Sequence, residues 1–173
     1  MRKIRLLSMV LLMSVILCSC TGIKGFSDKK KTMSEAQRIE AMSEDIIRCL
    51  TEKDKEAFTE LFCEQVKSTE GFSEQVDQLF AFFQCDTYLT ADINTSSSGG
   101  GSYEDGKKTE WSVTPAIPYI QVLLESDDGN MKERYYGVSY YWQIIDEKDS
   151  SEEGLHNIKV NLLNTEDTVF VGE

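Results

Sequence analysis

Apolar residues recur every three or four positions between residues 35 and 50, a spacing typical of an amphipathic helix with one buried face. Ser34 and Gln37 form a capping-box pair at its start. The apolar stripe consists of Ile39, Met42, Ile46 and Leu50. The pattern therefore predicts a first helix over residues 35–50.

The same period predicts two further helices before residue 85. Asp54 can cap a second helix, and Gly71 ends that region, while Ser73 starts a third, short helix. The buried stripe of the second helix is Phe58, Leu61, Phe62 and Val66, and that of the third is Val76, Leu79, Phe80 and Phe83.

From Cys85 onward the apolar period changes to two, which predicts strands. The residues Asp128-Gly129-Asn130 separate two alternating runs and predict a hairpin. Glycines and serines over residues 95–102 predict a loop. The predicted strands cover residues 86–94, 107–114, 118–125, 132–145 and 156–163, with a short edge strand at 168–171, and Pro115 and Pro118 separate the second from the third.

The strand over residues 132–145 has two distinct faces. One face carries Tyr136, Val138, Tyr140, Trp142 and Ile144, and the other carries Tyr135, Gly137, Ser139, Tyr141 and Gln143. Gly137 predicts a bulge or sharp bend, which is how a sheet is curved. Helices followed by an antiparallel meander predict an α+β fold with the N-terminal helices packed on one face of a curved sheet.

The N-terminus has the pattern of a secretion signal. Met1–Arg5 carries three positive charges, and the uncharged residues 6–17 are too few for a membrane-spanning helix, which needs about 20 apolar residues. Leu17-Cys18-Ser19-Cys20 resembles the lipobox of bacterial lipoproteins. That resemblance implies a diacylglycerol on Cys20 and a protein anchored in the cell membrane, facing outside the cytoplasm, since two acyl chains give stable anchoring.

This interpretation divides the chain into three segments: a signal peptide at residues 1–19, a flexible tether at 20–33 and one folded domain at 34–173. The whole chain carries a formal net charge of −12, and loss of the signal peptide leaves 15 basic against 30 acidic residues. Nucleic acid is therefore an unsuitable partner, because phosphate binding requires basic patches. We expect no cofactor.

No motif for catalysis or metal binding is convincing on its own. The segment 101–108 lacks the hydroxyl residue of a phosphate-binding loop, and the acidic segment 149–154 lacks the final glutamate of a calcium loop. His156 is the only histidine, so a general base would need it together with a carboxylate. Asp86 and Asp92 are the best-placed carboxylates. We therefore predict no catalytic residue and no metal centre.

The sequence leaves more than one role open for its cysteines and for its aromatic residues. Cys49, Cys63 and Cys85 remain after lipidation, and their spacing predicts free buried thiols without fixing a pairing. An aromatic group can line a ligand pocket or simply fill the core. The open sheet face with Tyr135, Tyr141 and Ile145 can instead support a homodimer. The candidate pocket residues are Trp111, Tyr119, Tyr136, Tyr140 and Trp142.

The element order and the long bent strand are similar to the nuclear transport factor 2-like, or cystatin-like, cone. The segments KDKEAFTELF, EQVDQLFAFF, SSSGGGSYEDGKKT and ERYYGVSYYW resemble a family of small bacterial lipoproteins known as domain of unknown function 5104. This resemblance, over about residues 35–164, implies a fold and a location but no activity. The expected role is a binding or interaction module; the alternative is a small pocket enzyme of the isomerase or dehydratase type.

Overall fold

The computed structural model describes residues 33–126 and 128–172. The signal peptide, Cys20 and nearly all of the tether therefore lie outside the described residues. Among the described residues, four α-helices come first: α1 (Glu35–Glu52), α2 (Lys55–Thr59), α3 (Glu64–Lys67) and α4 (Phe72–Phe82). Within the described ranges, no helix combines the length and hydrophobicity that a membrane crossing requires.

In the part of the chain that the structure describes, seven strands follow the helices and form two sheets. Five of them build one curved antiparallel sheet in the order β1-β4-β5-β6-β7, and β2 pairs with β3 in a separate ribbon. The strands are β1 (Thr87–Gly100), β2 (Tyr103–Glu104), β3 (Lys107–Lys108), β4 (Glu110–Glu125), β5 (Met131–Asp146), β6 (Gly154–Leu162) and β7 (Thr168–Val171). The predicted α+β class is confirmed.

The start of α1 has the predicted capping box. The Ser34 amide donates to the Gln37 side chain at 2.9 Å, and the Gln37 amide donates to the Ser34 hydroxyl at 3.3 Å. These two bonds satisfy amide groups that have no partner inside the helix. The predicted buried stripe is also confirmed, because Ile39, Ile46 and Leu50 are essentially inaccessible to solvent.

The prediction of one continuous second helix was wrong. Asp54 caps α2 by accepting from the Ala57 amide at 2.9 Å, but the helix ends at Thr59. The backbone then pairs with β6: the Cys63 amide donates to the Leu155 carbonyl at 3.1 Å, and the Leu155 amide donates to the Leu61 carbonyl at 2.8 Å. These bonds occupy groups that a continuing helix would use internally, so a new helix, α3, starts only at Glu64.

Two loop predictions in the sheet region were also wrong. Strand β1 continues to Gly100, because Ser98, Gly99 and Gly100 pair with β4 in spite of their weak strand propensity. Strand β4 runs through both prolines without interruption. Pro115 and Pro118 lie at shifts in the register with the neighbouring strands, where a missing amide donor is tolerated.

The long strand β5 forms the centre of the sheet and confirms the predicted alternation as far as Trp142. At the register shift that follows, Gln143, predicted on the outer face, is buried, and Ile144, predicted on the buried face, is only partly buried. Tyr136, Val138, Tyr140 and Trp142 are buried, whereas Tyr135 and Tyr141 on the other face are partly exposed. The register of β4 shifts between Ile117 and Ile120, next to Gly137 of β5. The irregularity that Gly137 predicted therefore lies in the neighbouring strand.

Candidate functional site

Three of the five predicted pocket residues are part of the hydrophobic core. Tyr136, Tyr140 and Trp142 are at most 3% exposed and belong to the main buried cluster. The Tyr136 ring centroid lies 4.5 Å from that of Phe83, and its hydroxyl accepts from the Gln84 amide at 3.1 Å. Tyr136 therefore joins the sheet to the end of α4.

Tyr140 connects the sheet to α1. Its hydroxyl lies 2.8 Å from the Ser43 hydroxyl and also 3.4 Å from the Ile39 carbonyl oxygen. Because the carbonyl can only accept, the Tyr140 hydroxyl donates to it when that bond is formed. Burial raises the pKa of Tyr140 to about 12 by disfavouring the charged phenolate.

The other two predicted residues lie elsewhere. The Tyr119 ring contacts Tyr135 at 6.3 Å on the sheet face opposite the buried tyrosines. Trp111 packs edge-on against Tyr103 of the small ribbon at 6.1 Å, and the Lys108 ammonium lies 3.4 Å from its ring centroid. The structure therefore places three of the five aromatic residues in the core, Trp111 at the border of that core and Tyr119 on the other sheet face.

The open sheet face is covered by polar contacts between neighbouring side chains. Gln121 donates to the Tyr135 hydroxyl at 2.9 Å, and that hydroxyl donates to Glu133 at 2.6 Å. The Tyr141 hydroxyl donates to the Gln143 side-chain oxygen at 3.4 Å, and the Gln143 side-chain nitrogen donates to the Ile145 backbone carbonyl at 2.7 Å. The face predicted to support a homodimer thus presents aromatic rings whose polar groups are already partnered.

The three predicted free thiols are confirmed as free and buried. Cys49 lies on α1, and burial is the main factor that raises the pKa of its thiol to about 11. The neighbouring Arg48 opposes this shift by favouring the thiolate. Burial also raises the pKa of Cys85, so both thiols stay neutral at physiological pH.

We expect the stability of the domain to decrease in alkaline solution because of Tyr140 and Cys49. The folded-state pKa of each is raised, from 10.0 to about 12 and from 9.0 to about 11, so folding favours the protonated form. Their contribution is complete below the lower value and is lost as the pH rises through the upper one. Tyr140 alone is expected to account for a loss on the order of 2 kcal/mol.

The measurement is urea unfolding of the reduced protein at several pH values from about 8 to 12. In the Tyr140→Phe variant, the decrease in the free energy of unfolding should be smaller over the upper part of this range. An identical pH profile in both proteins would contradict the role of Tyr140.

A cluster that the sequence did not reveal lies where the α2–α3 connection meets β6. One ligand-type atom from each of Cys63, Glu152 and His156 lies within 4.8 Å of the other two. Cys63 is only 1% exposed, whereas the side chains of Glu152 and His156 are 24% and 17% exposed. A thiol, a carboxylate and an imidazole thus meet at the border between core and solvent.

Local backbone structure positions the Glu152 and His156 pair. Glu152 ends a single 3-10 turn (Ser150–Glu152), which Asp149 caps by accepting from the Ser151 amide at 3.0 Å. His156 Nε2 lies 2.9 Å from the Glu152 carbonyl oxygen and 3.6 Å from its carboxylate. Because a carbonyl only accepts, Nε2 donates in this contact.

Tyr141 and Gly154 also border the cluster. The Tyr141 ring contacts the His156 ring edge-on at 5.3 Å. Gly154 has a φ of +138°, and a Cβ on it would lie 2.6 Å from the Cys63 amide nitrogen. The absence of a side chain at Gly154 therefore allows the Cys63 loop to approach β6.

Sequence reasoning missed the cluster because Cys63 is far from the other two residues along the chain. The available signal was the spacing of Glu152 and His156, four residues apart next to a glycine. Nothing in the periodicity indicated that the second helix breaks at Cys63. Only the backbone pairing of Leu61 and Cys63 with Leu155 brings the thiol to the imidazole.

An open groove lies between α2 and α4, away from this cluster. It has a volume of about 540 Å³, and Lys55, Phe72, Val76 and Asp77 are among its lining residues. Lys55 donates to Asp77 at 2.5 Å across it. None of the five predicted pocket residues lines this groove.

The comparisons with known proteins place the chain in an uncharacterised family. No curated protein matches the sequence. Residues 45–166 match the family described as "Domain of unknown function (DUF5104)", a segment that contains Cys63, Glu152 and His156. Because the match covers well over half of the 173 residues, this chain belongs to the DUF5104 family.

Proposed function

We propose that this protein is a lipid-anchored binding or interaction module at the outer face of the cell membrane. The observation that carries the anchor is Leu17-Cys18-Ser19-Cys20, directly after a basic segment and a short apolar run. A thiol is a nucleophile that can form a thioether with diacylglycerol. Two acyl chains on Cys20 then hold the domain at the bilayer.

The positions of Asp86 and Asp92 support a binding role better than pocket catalysis. Asp92 is exposed on β1, and Asp86 accepts from the Glu125 amide at 2.9 Å at the start of the same strand. Neither carboxylate belongs to the buried cluster. A pocket isomerase would instead hold a carboxylate in an apolar cavity, where desolvation raises its pKa.

We further propose that the domain is a nuclear transport factor 2-like cone. Helices that precede a curved antiparallel sheet support this assignment. Register shifts in β4 at Pro115 and Pro118 supply the irregularities that bend such a sheet.

Replacement of Cys20 tests the anchor. In its native host, the Cys20→Ala variant should be lost from the lipid-modified fraction, whereas the matched Cys18→Ala variant should be modified like the wild type. The measurements are incorporation of labelled fatty acid and partition into detergent during phase separation. Equal lipid incorporation in the wild type and Cys20→Ala would contradict the proposal, as would membrane retention of both variants without lipid.

A further inference from the structure

We propose that Cys63, Glu152 and His156 form a binding site for a divalent transition-metal ion of the Zn²⁺ class. This inference goes beyond the proposed anchoring and does not depend on it. Its basis is the convergence of three different ligand types, brought from two distant parts of the chain to within 4.8 Å of one another.

The distances suit a small tetrahedral site. With metal–ligand bonds of about 2.0–2.3 Å, tetrahedral ligand atoms lie roughly 3.3–3.8 Å apart. Atoms within 4.8 Å therefore reach this arrangement through adjustments of about an ångström. Glu152 and His156 are partly exposed, so their side chains have room for such a movement and leave the ion a path from solvent.

The ligand set selects the class of ion. Thiolate sulfur and imidazole nitrogen favour borderline-soft ions such as Zn²⁺, whereas Ca²⁺ and Mg²⁺ require mainly oxygen ligands. Metal binding releases the Cys63 thiol proton to solvent, and the resulting thiolate and the carboxylate of Glu152 together supply two negative charges, which balance a divalent cation. A neutral assembly of this kind offsets part of the cost of placing charge beside the core.

The surrounding backbone holds the ligands in position without the metal. The Cys63 backbone is fixed by the hydrogen bond that its N–H donates to the Leu155 carbonyl at 3.1 Å, and Leu155 directly precedes His156. His156 is in turn oriented by the Glu152 carbonyl and the Tyr141 ring. Such outer contacts are typical of metal sites, because they fix the orientation of the ligating side chains.

Burial of Cys63 favours a role as a metal ligand over a role as a catalytic nucleophile. A nucleophilic thiol must reach its substrate, but Cys63 is only 1% exposed. A metal ligand needs no such access. Three protein ligands also leave one tetrahedral position for water or a fourth donor, as in the open type of zinc site.

The test uses the reduced full-length protein in detergent, with Co²⁺ as a spectroscopic probe for the Zn²⁺ site. We expect a near-ultraviolet thiolate-to-cobalt charge-transfer band that Zn²⁺ abolishes by competition. Cys63→Ser should eliminate the band, and Glu152→Gln and His156→Gln should each weaken Co²⁺ binding at least about 10-fold. The matched Cys85→Ser variant removes another buried free thiol and should keep the band unchanged.

The proposal is overturned if the wild-type protein gives no such band, or if the band persists in Cys63→Ser. Glu152→Gln preserves side-chain shape at a partly exposed position, so it tests the site even where Cys63→Ser does not fold. Unchanged Co²⁺ affinity in Glu152→Gln and His156→Gln also overturns it. Cys20→Ala should bind Co²⁺ like the wild type, which distinguishes failure of the metal site from failure of the anchor.

Discussion

Replacing Gly154 with alanine is expected to lower the free energy of unfolding by about 3 kcal/mol or more. Its φ of +138° is a conformation that residues with a side chain rarely adopt. The added Cβ would also lie 2.6 Å from the Cys63 nitrogen and 2.9 Å from both the Cys63 Cα and the Phe62 carbonyl carbon. These are backbone atoms, so no side-chain rotation can relieve the contact.

Gly71→Ala is the matched control for this substitution. Gly71 also has a positive φ, +82°, but a Cβ there would meet no atom within 4 Å. The free energy of unfolding of Gly71→Ala should fall by about 1–2 kcal/mol, because this variant adds backbone strain alone. Both variants are compared with the wild type by urea unfolding. Equal losses in the two variants would show that the α2–α3 connection does not pack tightly against β6.

The elements that local pattern predicted correctly are those whose burial follows a single period. Helix α1 has one apolar stripe and a capping box, and β5 places Tyr136, Val138, Tyr140 and Trp142 at every second position on its buried face. Along α1, and along β5 as far as Trp142, the buried residues recur at one constant period on a single core. The sequence alone therefore carries enough information to place them.

The elements predicted incorrectly depend on a partner strand. Residues Ser98 to Gly100 form a strand because β4 lies beside them, and the second helix breaks because Leu61 and Cys63 pair with Leu155. Local propensity contains neither interaction, so tertiary pairing overrides it. The Cys63 cluster was unpredictable for the same reason, since it exists only once that break has formed.

The aromatic residues show a different limit of sequence reasoning. A tyrosine that lines a ligand pocket and one that fills a core have the same alternating pattern, because both point away from solvent. Only their contacts identify Tyr136 and Tyr140 as core residues. The Tyr136 ring packs against Phe83 and its hydroxyl accepts from the Gln84 amide, both just after α4, and the Tyr140 hydroxyl forms a hydrogen bond with Ser43 of α1. Substitution of either tyrosine therefore tests the packing of the core.

We expect Tyr136→Ala to lower the free energy of unfolding by about 3–5 kcal/mol, the range for truncating a large buried aromatic side chain. The side chain is fully buried against Phe83, and its hydroxyl partners the Gln84 amide. Tyr136→Phe keeps the ring and removes only the hydroxyl, with its contacts to the Gln84 amide and to the Phe82 and Gln84 carbonyls, so its loss should be nearer 1 kcal/mol.

Tyr88 on β1 provides the exposed counterpart, because 44% of its surface is accessible. Tyr88→Ala should therefore change the free energy of unfolding by no more than about 0.5 kcal/mol. Denaturant unfolding of Tyr136→Ala, Tyr136→Phe and Tyr88→Ala under one set of conditions ranks the three losses. A small loss in Tyr136→Ala would mean that its ring borders an empty cavity, and would restore the ligand pocket as the better explanation of the buried aromatic residues. A loss in the expected range instead assigns Tyr136 to holding α4 against the sheet.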